Sequence, residues 1–417
     1  MPSSATASDP SPRCGPAAVD EAAGPAHVAT VSFLASRAVP SGGFFVALAG
    51  GTALARVAAR RGAREGYGAS MAAVLETVAI MGPARFGVPF TQALGAPLLG
   101  RLHARGWSLW AQFLVCAAIR VLSNAAGLAF FVLVIAGGLD AYAGSYDAIA
   151  ERLGFTLSER DTLLLSLAGL LAWGAFASVI QVSFYRRGLR GWPGPGEREE
   201  PPAAAPAIEL HRGRFDPRLV ALAAAVGFGL LLASTEPLFL VAVAVWLGLA
   251  WVASKPDRRA VPTGLVLAAL LGTASLAFAL TGGLGIEEAL RRASRAVLLV
   301  LVATWLRAAA GADGMREVSR RALGRLRGLP AVPETVRVLD AIGSEGRLTA
   351  AGRALVESLE GVRRRPAPVM DAVLGWVAAE AARYRTGPPA ASLALRARPV
   401  DFVLLALAAA PVLALVA

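Results

Sequence analysis

Long apolar runs separated by arginines dominate the chain. The runs over residues 109–138, 163–184 and 261–280 carry almost no charged side chains, and roughly 20 mostly uncharged residues are what a bilayer requires of a spanning helix. The pattern lapses over residues 311–399, where arginines alternate with apolar positions at helical spacing, and resumes over residues 401–417. We therefore predict an all-α, polytopic helical membrane protein with an amphipathic cytoplasmic helical module before the last transmembrane helix.

Changes in composition divide the chain into four predicted units. The first is polar and proline-rich and lacks the basic and apolar regions of a secretory signal, so we expect a disordered tail. A stretch rich in proline, glycine and charge separates two membrane halves and has the composition of a linker. The units are the tail over residues 1–27, an N-terminal membrane domain over 28–190, the linker over 191–213 and a second membrane domain over 214–417.

Composition favours this interpretation over two others. Hydrophobic residues make up 56% and charged residues only 17% of the 417 positions, whereas about 25% charge is usual in soluble proteins. A soluble all-helical protein would have to bury several runs of bilayer length. The net charge of +12 would also suit nucleic-acid binding, but the arginines flank the apolar runs, where cytoplasmic retention and anionic lipids explain them. We predict contact with the lipid bilayer and none with nucleic acid.

The distribution of arginines predicts an orientation in the cell membrane. If the linker is cytoplasmic, alternating spans put the N-terminus, the basic segment after Lys255 and the module over 311–399 on the cytoplasmic side, as the positive-inside rule requires. One basic cluster falls on the opposite side and counts against this orientation, namely Arg291, Arg292 and Arg295.

The types of polar residue exclude several chemistries. Lys255 is the only lysine and stands outside the GxxxxGK[ST] pattern, whose lysine contacts nucleotide phosphates. The two cysteines lie far apart and the three histidines are isolated, so neither a disulfide framework nor a metal site is expected. We predict no cofactor, no metal and no catalytic residues, and any ATPase that drives the protein would be a separate subunit.

Prolines interrupt an apolar stretch in the first half. Pro83, Pro89 and Pro97 make one straight helix unfavourable there. A broken helix inside a membrane is tolerated where its free backbone groups are buried or line a cavity. The segment from Glu76 to Gln92 is therefore a candidate pocket wall, although a hinge or two short interfacial helices would produce the same pattern.

Arg120 and Asn124 lie four residues apart, on one helical face, within the apolar run over 109–138. A charged side chain at bilayer depth is costly unless it is paired or hydrated. Either Arg120 has a function at that depth, or the true span begins at Val121 and Arg120 lies near the membrane interface. We favour the second interpretation.

The module over 311–399 contains four predicted amphipathic helices, none long enough to span a bilayer. Their starts are marked by Asp313, Pro333, Leu348 and Met370. Such helices lie on the membrane surface, pack into a small domain or present a face to a partner. The position of the module between the last two spans favours the partner.

Several short motifs in the second half occur in the order seen in a known family. They occupy residues 214–218, with Asp216, Pro217 and Arg218, residues 285–295, ending in Arg295, residues 326–334, residues 380–384 and residues 392–401. In sequence and order they resemble the transmembrane T component of energy-coupling-factor (ECF) transporters. The resemblance covers residues 214–417.

The resemblance implies that helices of the module bind a pair of separate ABC-type ATPase subunits through motifs of the Ala-Arg-Gly type. Ala382, Arg383 and Tyr384 match one such motif, with tyrosine in place of glycine, and Arg353 is the nearest match to the other. An arginine at a helix end suits such an interface because its guanidinium makes several fixed contacts. The first half has the size of the family's substrate-binding membrane subunit, but no motif identifies it as one.

These features predict the transmembrane subunit of an ECF-type importer for a micronutrient, a vitamin or a metal ion, that couples a separate ATPase to uptake. Two alternatives remain open. A non-transporting scaffold would use the module to recruit a cytoplasmic partner, and the altered ATPase-binding motifs favour it. An intramembrane enzyme acting on lipid would require clustered polar groups, whereas the available ones are scattered, namely Glu76, Arg85, Gln92, Arg120 and Asn124.

Overall fold

The computed structural model describes residues 16–37, 43–85, 89–136, 138–192, 214–254, 256, 261–362, 365–384 and 395–412. These residues form helices and no β-strand, which confirms the all-α prediction. The helices are α1 Pro16–Ala35, α2 Gly43–Arg61, α3 Ala63–Met81, α4 Pro89–Ala104, α5 Leu109–Phe130, α6 Leu139–Arg152, α7 Glu159–Arg190, α8 Pro217–Ala233, α9 Pro237–Ala253, α10 Val261–Thr281, α11 Ile286–Arg325, α12 Val332–Ala341, α13 Glu345–Glu360, α14 Pro366–Arg383 and α15 Pro399–Ala409. A π-helical segment, Phe131–Ala136, continues α5.

The first hydrophobic core combines helices from opposite ends of the chain. Leu48 and Leu54 of α2 belong to the same buried cluster as Leu339 of α12 and Leu348 and Leu355 of α13. Helix α2 can be surrounded on all sides because its glycines and alanines let neighbouring backbones approach closely. Part of the predicted N-terminal membrane domain and part of the predicted module therefore form one helical body.

The prediction of a disordered tail over residues 1–27 is wrong from residue 16 onward. Helix α1 begins at Pro16 and continues through Pro25, and Ala22, Ala23 and Ala26 are buried. Alanine has the highest helix propensity of any residue, and its small side chain lets α1 pack tightly against α2 and α3. Residues 1–15 lie outside the described residues.

A second core joins α8, α9, α11 and α15. Trp305 of α11 is fully buried and meets Trp246 of α9 edge to face, with ring centroids 5.6 Å apart. Leu231 of α8 and Leu404 of α15 belong to the same cluster. Helix α10 packs along α11 at Gly264, where an added Cβ atom would lie 2.1 Å from Thr304 Cγ2. Helix α11 is thus the central helix of this bundle.

Four helical segments are long and apolar enough to cross a membrane, namely Leu109–Ala136, α7, α10 and α11. The three apolar segments α8, α9 and Pro399–Val412 are shorter. Large apolar side chains cover the outer surfaces of α5, α7, α9 and α10, and Leu122 and Val252 are 74% and 86% exposed. Helix α11 differs, since 83% of its most apolar window is buried inside the protein.

Helix α11 runs from the bundle into the predicted module. It bends at Gly311, the residue at which the sequence predicts that the module begins. The four predicted helix starts lie inside α11, α12, α13 and α14. Of the three arrangements considered for these helices, the structure has them packed into a domain, with α12 against α3 and with α13 and α14 against α1 and α2. Residues 193–213, most of the predicted linker, lie outside the described residues.

The shared first core generates a stability prediction. Leu339→Ala should lower the free energy of unfolding by about 2–5 kcal/mol, because Leu339 is completely buried between the two parts of the chain. Leu329→Ala, at a position 53% exposed, should change it by less than about 0.5 kcal/mol. Thermal unfolding in detergent measures both variants, and equal effects would show that α12 does not complete this core.

Candidate functional site

The bend in α11 is the point where the bundle and the first core are joined. Gly311 has φ 71° and ψ 166°, a backbone conformation that glycine adopts without the steric cost paid by other residues. Two buried arginines flank the bend, Arg307 before it and Arg316 after it. We call the set Glu76, Arg307, Gly311, Arg316 and Glu345 the Gly311 junction.

Arg307 connects α11 to the end of α3 and to the start of α13. Its Nε donates to the backbone oxygen of Ile80 at 2.7 Å, and its Nη2 lies 2.9 Å from Glu345 Oε1. Gly82 allows this approach, since a Cβ atom there would lie 2.9 Å from Arg307 Cβ. One guanidinium therefore contacts both sequence halves.

Arg316 fastens the end of α12 to α3. Its Nη2 donates to the backbone oxygens of Leu339 and Ile342, the latter at 2.7 Å, and its Nε lies 3.2 Å from Glu76 Oε2. Carbonyls at a helix C-terminus lack intrahelical partners and carry partial negative charge. Arg316 thus binds the carbonyl groups of a buried helix end and also forms an ion pair with a buried carboxylate, whose Oε2 accepts no hydrogen bond within the described residues.

Glu76, a predicted pocket residue, belongs to this ion pair. Burial raises the pKa of the Glu76 carboxyl to about 7, although Arg316 opposes the shift; Asp313 and Glu345 raise it further. The side chain is 2% exposed. Its position indicates a titratable contact between α3 and the part of α11 beyond the bend. The pocket wall from Glu76 to Gln92 stays a prediction.

The motif at Asp216, Pro217 and Arg218 begins α8. The Asp216 side chain accepts from the backbone nitrogen of Arg218 at 2.9 Å and forms an ion pair with its guanidinium at 2.8 Å, while its backbone nitrogen donates to Asp401 Oδ1 at 3.3 Å. Pro217 fits the first helical position and lies against Gly314. The motif therefore joins the starts of α8 and α15 to the region just beyond the bend.

Arg295 contacts the other end of the bundle. It donates from Nη2 to the backbone oxygen of Val134 at 2.7 Å, and Arg292 donates to that of Ala136 at 3.1 Å. Both acceptors lie in the π-helical end of the α5 segment, where carbonyl groups favour cations. These arginines hold the start of α11 against that end.

The predicted ATPase-coupling residues fall into two groups. Arg353, Ala382 and Arg383 are exposed on α13 and α14. Tyr384 is buried in a cluster with Ala23 and Ala341 and donates its hydroxyl to the Ala341 oxygen. Tyr384 therefore fixes the end of α14 to α1 and α12, and because its side chain is buried it is not available to a partner.

Arg120 is buried in the middle of the apolar segment Leu109–Ala136, and its Nε donates to Gln181 Oε1 at 2.9 Å. A charged side chain at bilayer depth needs a partner of this kind. Its location near the membrane interface, in a span that begins at Val121, stays a prediction. Asn124 lies one turn further along and is half-buried, whereas Gln92 of α4 is fully buried.

Several interacting residues were not singled out by the sequence. Gln181 lies in an apolar run that shows no sign of a polar partner, and Arg307 and Arg316 look like ordinary flanking arginines. One feature of the sequence could have identified the two arginines: they lie on either side of Gly311, and a glycine in a helix favours a bend. Among the described residues no group of three or more His, Cys, Asp or Glu side chains is placed to hold a metal ion.

No family model, curated protein or solved structure matches this chain. The resemblance to ECF T components therefore stays a prediction.

The raised pKa of Glu76 predicts how stability changes with pH. In the folded protein Glu76 loses its proton at a pKa of about 7, whereas in the unfolded chain it does so at its ordinary pKa of 4.5. This contribution to stability is complete below about pH 4.5 and is lost as the pH rises through about 7, and it is of order 3 kcal/mol. Glu76→Gln should flatten the fall in unfolding free energy between those values, as measured by denaturation in detergent. An unchanged slope would assign the titration to another group.

Proposed function

We propose that this chain is a multi-pass protein of the cell membrane. The proposal is carried by the outward-facing side chains of Leu109–Ala136, α7, α9 and α10, which include Leu122, Phe176 and Val252. Soluble monomers rarely expose contiguous apolar patches larger than a few hundred Å². In a bilayer the same side chains contact lipid tails at no cost.

Contacts between helix ends support one alternating topology. Arg187 at the end of α7 pairs with Asp371 of α14 at 2.9 Å, and both belong to the predicted cytoplasmic side. Arg295 and its acceptor Val134 both belong to the opposite side. The basic cluster at the start of α11 also carries less net charge than its arginines suggest, because Arg291 and Arg292 pair with acidic residues one turn earlier. The positive-inside rule is then less strongly violated.

We further propose that the chain is the transmembrane subunit of an ECF-type importer for a vitamin or metal ion, driven by a separate ABC-type ATPase. The observation that carries this proposal is the connection within α11, whose two helical parts meet at Gly311 and link the apolar bundle to α12 and α13 through the Gly311 junction. Movement of a partner bound at Arg353 and Arg383 would reach the bundle through Arg307 and Arg316. A separate substrate-binding membrane subunit would complete the importer.

One observation favours the scaffold as a second candidate. Helices α12 to α14 share a core with α1 to α4, so the surface that bears Arg353 and Arg383 is held by a large body. A rigid surface of this kind suits recruitment of a cytoplasmic partner without transmission of movement. The two functions differ in whether the partner hydrolyses ATP.

Cysteine labelling tests the membrane location. In a chain with Cys14 and Cys116 replaced by serine, Arg353→Cys should react with a membrane-impermeant maleimide only after the cells are opened, because α13 is predicted to be cytoplasmic. Leu153→Cys, 69% exposed between α6 and α7, should react in intact cells. Labelling of position 353 from outside would invert the topology and remove the importer proposal.

Charge reversal tests the coupling surface. Arg383→Glu should lower copurification of the ATPase by about tenfold or more, because like charges across an interface are repulsive. Arg365→Glu, exposed at the other end of the same helix, should leave it unchanged. The measurement is pull-down after coexpression with candidate ATPases, together with vitamin or metal uptake.

Three results of that experiment separate the candidates. Loss of both ATPase binding and uptake in Arg383→Glu supports the importer. Capture of a partner without ATPase activity, again sensitive to Arg383, supports the scaffold. If no ATPase copurifies with the unaltered chain, the coupling proposal fails.

A further inference from the structure

Four helices of the first half meet around Arg120. The arginine lies about 16 Å along the α5 segment from Leu109, at 1.5 Å per residue, roughly halfway through a hydrocarbon core about 30 Å thick. Gln181 and Tyr185 of α7 are its buried neighbours, and Phe44 of α2 lies under the guanidinium, which is 5.4 Å from the ring centroid.

The charge of Arg120 is not neutralised within the described residues. None of their carboxylates lies within 4.0 Å of its guanidinium, and its acceptor is the neutral amide oxygen of Gln181. The other buried arginines are partnered differently. Arg307 and Arg316 each meet a carboxylate and backbone carbonyls, and Arg295 meets a carbonyl at a helix end. Arg120 is thus a buried cation in need of a counter-charge.

Buried hydrogen-bond donors without acceptors lie on two of the helices that meet at this cation, α7 and α4. The amide nitrogen of Gln181, the hydroxyl of Tyr185 and the amide nitrogen of Gln92 are buried and have no hydrogen-bond partner within the described chain. A buried donor without an acceptor costs about 1–3 kcal/mol, so three together call for an acceptor. An anion can accept from several donors at once and also offsets the charge of an arginine beside it.

Glycines bring α2 and α4 close to the same point. A Cβ atom added at Gly51 would lie 1.9 Å from Tyr185 Oη, and one added at Gly95 would lie 3.4 Å from Gln181 Nε2. Gln92 precedes Gly95 by three residues, which puts both on one face of α4. The close approach packs α2 and α4 tightly against Tyr185 and Gln181, so any ligand bound there has to be small.

We propose that Arg120, Gln181, Tyr185 and Gln92 form a binding site for a small monovalent anion, a halide or a short carboxylate. The single positive charge sets the charge of the ligand, and the surplus donors provide its hydrogen bonds. The placement of this site within a bilayer rests on the proposed membrane location, whereas binding itself does not.

Thermal unfolding of the full chain, purified in detergent, tests the site. Exchange of gluconate for chloride or for acetate at constant ionic strength should raise the Tm of the unaltered protein by about 2 °C or more. Chloride alone would identify a halide site, and acetate would identify a carboxylate site. Arg120→Gln should abolish the rise, and Arg295→Gln, a matched buried arginine with its own carbonyl acceptor, should retain it.

A second variant keeps the proposal falsifiable if Arg120→Gln does not fold. Tyr185→Phe removes one hydroxyl and should weaken the anion dependence of Tm by about fivefold in concentration, the effect of one lost hydrogen bond. A Tm insensitive to both anions, or an unchanged response in the Arg120 and Tyr185 variants, would overturn the site. Because no membrane is present, this outcome is separate from the result of the labelling experiment.

Discussion

The arrangement of α11 depends on cations that bind carbonyl groups at the ends of other helices. Arg307 takes the Ile80 oxygen near the end of α3, and Arg316 takes the oxygens of Leu339 and Ile342 at the end of α12. These carbonyls have no partners within their own helices and are buried, so they would otherwise be costly. The two arginines therefore allow two helices, α3 and α12, to end inside the protein around the bend at Gly311.

The opposite end of α11 uses the same interaction. Arg292 and Arg295 bind the carbonyls of Ala136 and Val134 at the end of the α5 segment, and at the other side of the bundle Asp401 accepts from the backbone nitrogen of Asp216. Anions at helix starts and cations at helix ends complement the helix dipole. The part of α11 before Gly311 is therefore held by charged side chains near both of its ends, and the proposed coupling role would use this attachment.

Local patterns predicted the helices, and long-range packing decided how they combine. The apolar runs over 109–138, 163–184 and 261–280 are long enough to identify helices without neighbours, and Gly311 identified the start of the module. The packing of α12 to α14 against α1 to α4 could not be predicted. An amphipathic helix shows that its apolar face packs against another element, but its sequence does not show which element that is. Tyr384 is an example of what the sequence did not predict. Because it follows Arg383, it resembled part of an exposed motif, but its side chain is buried against Ala23 and Ala341.

Arg120 is the residue whose surroundings were least predictable from the sequence. The sequence offered two explanations for a charge in an apolar run, and the interfacial one was simpler because it needed no partner. The structure puts the side chain beside Gln181, whose amide supplies an acceptor without a charge. A carboxylate at this point would have closed the site as an ion pair, as Glu76 does for Arg316. The neutral acceptor leaves the positive charge in place, and the proposed anion would supply the missing negative charge.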